Sequence, residues 1–173
     1  AISDVAVIAN AVVAITQSSG LGVTGYTADS TQPRLSAFAL DLNGPVVALL
    51  LSFNEPVSAS SLRVTDLTLQ SDAAVGGATA SLTLGAGCTV DANSVPAAGS
   101  FVWGTLTIRV LLTQANTISL KTNAKLGNSA NPIFLAVTAG AVLDTSSNPV
   151  QAISTGSALA VQTSATDSEL AAL

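Results

Sequence analysis

The sequence predicts an all-β protein, and three features of its 173 residues support that prediction. Stretches of alternating apolar and polar residues recur along the chain, as half-buried strands require. Glycine, proline and asparagine separate these stretches at the spacing of roughly 8–12 residues that is typical of sandwiches and barrels. Valine, isoleucine and threonine are frequent, which disfavours helices. Together these features indicate a two-sheet sandwich of the immunoglobulin-like kind, with at most one short helix.

The alternation also predicts where the strands lie. The predicted strands are residues 34–42, 46–53, 62–70, 79–84, 101–111, 133–138, 149–154 and 158–163. In the clearest of them, Leu106, Ile108 and Val110 fall on one face, and we expect that face to be buried. Asn43-Gly44-Pro45 is a turn signal between the first two strands. The second strand is apolar on both faces, which is typical of a central strand.

One segment has the pattern of a short helix. Thr113 is a suitable N-cap for a helix that runs to Lys125, and Ile118 is expected to face the core. A single helical turn is expected at Ser58–Leu62.

Composition and charge exclude several classes of function. Only 9% of the residues are charged, the net charge is −5 and histidine is absent. A chain with this charge lacks the basic face that nucleic acids need. Histidine is the usual proton shuttle near neutral pH, so its absence removes many catalytic mechanisms. We therefore predict no enzyme, no catalytic residue and no cofactor-binding residue.

The apolar runs are too short to cross a membrane, since a spanning helix needs about 20 apolar residues. No basic segment precedes the first apolar run, so we expect no signal peptide in this sequence; if the chain is secreted, this is its mature form. Scarce lysine and abundant serine and threonine suit an extracellular or cell-surface location. O-linked glycans are therefore among the expected partners.

A repeat links the two ends of the chain. Residues 10–23 recur without a gap as residues 148–161, at a constant offset of 138. Nine of the 21 positions from Asn10 to Ser30 are identical to their counterparts. A segment that ends the domain thus has a second copy at its beginning, and that second copy is a spare strand.

We expect the spare strand to span about residues 2–16, within an extension and linker at residues 1–26 that precede the sandwich at 27–173. Six aliphatic residues form its predicted contact surface: Val5, Val7, Ile8, Val12, Val13 and Ile15. Burying six such side chains gains roughly 9–18 kcal/mol before the entropy of ordering the strand is subtracted.

Two locations are open to this strand. It can pack within its own domain, or it can insert into a neighbouring copy and so propagate a filament. The polar break Gln17–Gly20 suits a tether for the second arrangement. Candidate acceptors are the predicted core strands Val46–Phe53 and Leu106–Val110.

An ordered series of motifs resembles a repeat domain of large secreted proteins of algae and other protists. The motifs are YTADSTQPRL (26–35), FALDLN (38–43), LSFNEPV (51–57), ASSL (59–62), LTLQ (67–70) and GAVLDTSSN (140–148), followed by Val150 and Ile153. The resemblance implies an immunoglobulin-like sandwich. The same architecture resembles the protomers of helical environmental fibrils, in which donor-strand exchange joins the subunits.

The expected function is therefore that of a structural subunit in an extracellular homopolymeric fibril. Other copies of the same chain are its expected partners. Two alternatives stay open: a monomeric cell-surface adhesion or binding module, and a type IV-like pilin with an N-terminal packing helix.

Sites for other chemistry are few. Five residues offer oxygen ligands for calcium, although each also suits a turn: Asp29, Asp41, Asn43, Asp144 and Asn148. Their spacing matches no calcium loop, so no metal site is predicted. Cys88 is expected to be a small buried side chain, Trp103 a core residue and Glu55 a turn residue.

Overall fold

The computed structural model describes residues 13–74, 80–94, 104–126 and 132–165. The strands within these ranges are β1 (Leu35–Asp41), β2 (Ala48–Val57), β3 (Leu67–Gln70), β4 (Ser81–Thr83), β5 (Thr89–Val90), β6 (Thr105–Leu111), β7 (Phe134–Val137), β8 (Leu159–Ala160) and β9 (Thr163–Ala165). Helix α1 spans Gln114–Thr122. Short 3-10 helices lie at Gln17–Ser19, Ala59–Ser61, Val64–Asp66 and Ala92–Ser94.

The strands form two sheets around a common core. One sheet has the order β5-β6-β2-β1-β9 and the other the order β4-β3-β7-β8. Neighbouring strands are antiparallel except β1 and β9, which are parallel. Leu40 and Leu49 of the first sheet and Leu69 and Leu135 of the second belong to one buried cluster. Within the described ranges the protein is the predicted all-β, two-sheet sandwich with at most one short helix.

The pair β1–β2 shows how alternation builds this core. Phe38 lies opposite Leu51 and Leu40 lies opposite Leu49, and all four side chains are buried. The chain turns between these strands at the predicted Asn-Gly-Pro segment. Strand β2 has β1 on one side and β6 on the other, so it is the central strand that its two apolar faces predict.

Helix α1 has the predicted N-cap, because the Thr113 hydroxyl accepts a hydrogen bond from the Asn116 backbone N–H at 3.0 Å. The prediction for Ile118 is wrong, since its side chain is 53% exposed. Thr117 and Leu120 face the core instead. The Thr117 hydroxyl is satisfied there by accepting from the Val47 backbone N–H, which removes the penalty of burying it.

Some predicted strands are shorter in the structure. Strand β3 begins only at Leu67, after a 3-10 turn. Residues 149–154 make isolated bridges rather than a strand. Pro149 has no N–H for a ladder, and Ser147, two residues before it, has a positive φ of 72°. Leu106 is 53% exposed, so the buried face of β6 begins at Ile108.

Candidate assembly surface

The N-terminal segment lies outside the core wherever the structure describes it. Every residue from 13 to 32 is exposed, and none of them lies in a strand. Five large apolar side chains are included: Val13, Ile15, Leu21, Val23 and Tyr26, which are between 59% and 85% exposed. Monomeric proteins rarely leave so many large apolar groups in one continuous segment facing water. The described part of the segment therefore has a surface suited to burial by a partner.

Two of the six predicted contact residues, Val13 and Ile15, fall in this exposed segment. The other four, Val5, Val7, Ile8 and Val12, lie outside the described residues. The predicted contact surface ends at Ile15 and so leaves out Leu21, Val23 and Tyr26. The repeat itself was the available signal for the first two, because it continues to Val23.

The C-terminal copy of the repeat, residues 148–165, has the opposite environment. Val150 is fully buried, and Ile153, Leu159 and Val161 pack against the core. The Ile153 backbone exchanges two hydrogen bonds with Val137, at 2.8 and 2.9 Å. Leu159 pairs with Leu135 in β7, and the Val161 N–H donates to the Ile133 carbonyl at 2.7 Å. This copy therefore completes the second sheet along β7.

The two copies nevertheless share one local structure. In the N-terminal copy, the Ser19 N–H donates to the Thr16 carbonyl at 3.0 Å, and the two hydroxyls lie 2.8 Å apart. In the C-terminal copy, the Ser157 N–H donates to the Ser154 carbonyl at 3.0 Å, and the two hydroxyls lie 2.9 Å apart. The same turn is thus exposed in both copies, although only the C-terminal copy packs the residues that flank it on the core.

A groove lies beside the C-terminal copy. It has a volume of about 370 Å³ and is lined by Arg34 and Leu35 at the start of β1 and by residues 151–153 and 157–160. Strand β8 pairs with β7 on one edge only, because it is the last strand of its sheet in the described residues. After β8 the chain crosses to the first sheet, where the Gln162 N–H donates to the Phe38 carbonyl and β9 pairs with β1.

Of the two acceptor strands expected from the sequence, the first has both edges paired. Val46–Phe53 falls largely in β2, whose residues Ala48–Ser52 pair with β1 and β6 at once. Leu106–Val110 falls in β6, whose residues Thr107–Val110 pair with β2 on one edge, while β5 pairs only with Val110 and Leu111 on the other. The apolar character of both faces of β2 is typical of the centre of a sheet, where backbone groups are already satisfied.

Three carboxylates meet where the N-terminal segment joins the domain. Asp29, Glu55 and Asp144 each place a carboxylate oxygen within 4.8 Å of the others. Asp144 is buried, and its Oδ1 accepts from the backbone N–H groups of Ser146 and Asn148 at 2.8 and 2.7 Å. The Asn148 amide donates to Asp144 Oδ2 and to the Asp29 carbonyl, which ties the linker to this turn.

Glu55 is the least satisfied member of this carboxylate cluster. Its Oε1 is buried and has no hydrogen-bond partner. Desolvation raises the pKa of Glu55, and the negative charges of Asp29 and Asp144 raise that pKa further. Carboxylate oxygens are ligands for hard cations, so these three residues could hold Ca²⁺.

The structure thus brings together Asp29, Asp144 and Asn148, which are three of the five residues named as possible calcium ligands. It adds Glu55, which was predicted to be a turn residue but lies in strand β2. Asp41 and Asn43 lie elsewhere, in a local turn where the Asn43 N–H donates to Asp41 Oδ1. The expectation of no metal site stays untested. Cys88 is buried as predicted, and Trp103 lies outside the described residues.

No family model, curated protein or solved structure was found to match this chain. In the described residues, no helix has both the length and the apolar character needed to cross a membrane. The repeat and the contrasting environments of its two copies are therefore the features on which a functional hypothesis rests.

Proposed function

We propose that this chain is the structural subunit of an extracellular homopolymeric fibril. In this proposal, the N-terminal strand of one copy inserts into the sandwich of another, and the contact repeats from subunit to subunit. A head-to-tail contact of this kind does not close on itself, so it builds a filament.

One observation supports the proposal above all others. Ile15, Leu21 and Val23 face solvent, although the identical residues of the C-terminal copy, Ile153, Leu159 and Val161, pack on the core. A second copy of the chain is a partner that supplies the same kind of core. Strand addition would also satisfy the backbone groups of the segment.

Deletion of residues 1–26 tests this function. We expect the full-length chain, at high protein concentration, to form filaments in negative stain and to sediment as large assemblies. The shortened chain should sediment as a monomer with an unchanged circular dichroism spectrum for its sandwich. Filaments of the shortened chain would contradict the proposal, and a full-length chain that stays monomeric would favour an adhesion or binding module.

The pilin alternative predicts a helix over residues 1–16. Residues 13–16, the part of that range that the structure describes, are not helical. Circular dichroism of assembled material would distinguish the two models, because a packing helix adds a helical signal that an inserted strand does not.

A further inference from the structure

We infer that the N-terminal copy of one chain takes, in its neighbour, the place that the C-terminal copy holds in its own domain. This inference rests on the proposed function and adds the binding position and the register. The constant offset of 138 places Ile15 at the position of Ile153, Leu21 at that of Leu159, and Gly22 at that of Ala160. The inserted strand would then pair with β7.

The pattern of identity between the copies supports this register. Four positions of the C-terminal copy pack large apolar side chains on the core, and all four are identical in the N-terminal copy. These pairs are Val12/Val150, Ile15/Ile153, Leu21/Leu159 and Val23/Val161.

Exposed positions of the C-terminal copy differ more often. Gln151, Thr155, Ala160 and Gln162 are exposed, and none of them is repeated in the N-terminal copy. The large side chains that pack on the core are thus kept, whereas most exposed positions differ, with Ala152 and Ser157 as the two exposed residues that are repeated. The side chains of the N-terminal copy therefore fit the position beside β7 that residues 148–161 occupy. We call this position the slot.

The slot is filled in the single chain, so the resident C-terminal copy must leave before a neighbour can enter. That copy is anchored by the buried Val150 and Ala158, but its ladder to β7 is short. Strand β8 has only two residues, Ile153 makes an isolated bridge, and residues 154–157 are exposed. Segments with few ladder bonds open more readily than the rest of a fold. The groove beside Arg34 and Leu35 gives an incoming strand a surface to contact before the resident copy is displaced.

The balance between the two states then depends on concentration. Because the inward side chains are the same, both copies gain similar energy from the slot. The resident copy has the advantage of being tethered, which corresponds to an effective concentration in the millimolar range for short linkers. The single chain is therefore self-complemented and soluble, and exchange takes over at high local concentration or when the resident copy is weakened.

Cysteine cross-linking between two differently substituted chains tests the register. In the resident arrangement, Ala160 lies directly opposite Phe134 in β7. Antiparallel neighbours have Cα atoms about 4.5–5.5 Å apart, within the range a disulfide spans. Chains carrying Gly22→Cys are mixed with chains carrying Phe134→Cys, both in a Cys88→Ala background, and assembled under mild oxidation. We expect a disulfide-linked dimer containing one chain of each kind.

The matched control replaces Phe134→Cys by Ile118→Cys, which lies on the exposed side of α1. It should give at least about tenfold less of the mixed dimer. Filaments that form without a Gly22–Phe134 cross-link, or with as much cross-link to position 118, would overturn the register while leaving the fibril intact. Absence of filaments from the unsubstituted chain would instead overturn the proposed function.

A second test needs no cysteine and does not alter the folded core. Ile15 takes the place of the packed Ile153, whereas Val13 takes the place of the exposed Gln151. Ile15→Asp should raise the concentration needed for assembly by at least about a hundredfold, because it buries a charge. Val13→Asp should change that concentration by less than about threefold, since its side chain would face water. Equal effects of the two substitutions would contradict the register.

Discussion

The N-terminal and C-terminal copies of the repeat have related sequences but different environments. Ile15 is exposed, and its counterpart Ile153 packs on the core and bridges to Val137. Both copies make the same turn, yet only the C-terminal copy forms β-bridges and strands in the described residues. Local hydrogen bonds are therefore enough to form the turn, whereas the extended parts need a partner strand. The comparison separates what a segment encodes by itself from what its neighbours supply.

The largest expected effect comes from placing the same charge in each copy. Ile153→Asp should lower the free energy of unfolding by about 2–3 kcal/mol, because the carboxylate would replace a side chain packed on the core. Ile15→Asp should change it by no more than about 0.5 kcal/mol. Urea denaturation at concentrations below assembly measures both. Equal losses would mean that residue 15 also packs in its own domain.

Glycine-to-alanine substitutions test how closely the sandwich and the N-terminal segment are packed. A Cβ at Gly104 would lie 2.8 Å from Thr145 Cγ2 and 2.9 Å from Pro56 Cβ, so Gly104→Ala should destabilise the fold by about 1–3 kcal/mol. A Cβ at Gly22 meets nothing within 4 Å. Gly22→Ala is therefore the control, with an expected change within about 0.5 kcal/mol. Thermal unfolding of the two variants checks the difference, and a neutral Gly104→Ala would argue against the close packing there.

The junction between the segment and the domain should respond to pH through Glu55. Its folded-state pKa is raised, so the folded state binds this proton more tightly than the unfolded state does. Stability should accordingly fall as the pH rises through the range just above the ordinary value of 4.5. Glu55→Gln removes this dependence and should raise the urea midpoint at pH 7.

Asp41→Asn controls for the loss of one negative charge at a site outside the carboxylate cluster. Urea midpoints measured between pH 4 and pH 8 compare the two variants. A Glu55→Gln protein that is less stable than the parent at pH 7 would show that the ionised carboxylate is favourable where it lies.

The smallest expected effect comes from removing a serine hydroxyl from the turn that the two copies share. Ser157→Ala removes a hydroxyl contact within the folded domain and should lower the free energy of unfolding by about 0.5 kcal/mol. Ser19→Ala removes the equivalent contact in the exposed segment and should leave the unfolding curve of the monomer unchanged. A measurable loss of unfolding free energy in Ser19→Ala would show that the turn at residues 16–19 unfolds cooperatively with the sandwich.

The fold could be predicted because its main strands are amphipathic. The inward positions of β1 and the N-cap of α1 follow directly from residue types and spacing. The prediction for Ile118 is wrong because hydrophobicity alone does not show that the Thr117 hydroxyl can be buried. That hydroxyl accepts a hydrogen bond from the Val47 backbone N–H in the core, so Thr117 faces inward and Ile118 faces solvent. The acceptor Val46–Phe53 lies largely in β2, which has no free edge, because a strand that is apolar on both faces is a central strand with its edges already paired.

The candidate site was only partly predictable for a similar reason. The repeat identified the spare segment, since identity at a constant offset is visible in the sequence. The sequence could not show the position of the slot, because that depends on the pairing of residues 153 and 159 with β7. Glu55 was missed because Asp29 and Asp144, which give it its chemistry, are distant in the sequence and meet only in the fold.

The turn at residues 16–19 has a consequence for how fast and how tightly subunits associate. Fixing the backbone of a flexible residue costs about 1–2 kcal/mol of entropy. The bend between Thr16 and Ser19 is already formed in a segment that water surrounds. The entropic cost of ordering therefore falls mainly on the flanking residues. The N-terminal segment is partly preorganised for binding before it meets another subunit.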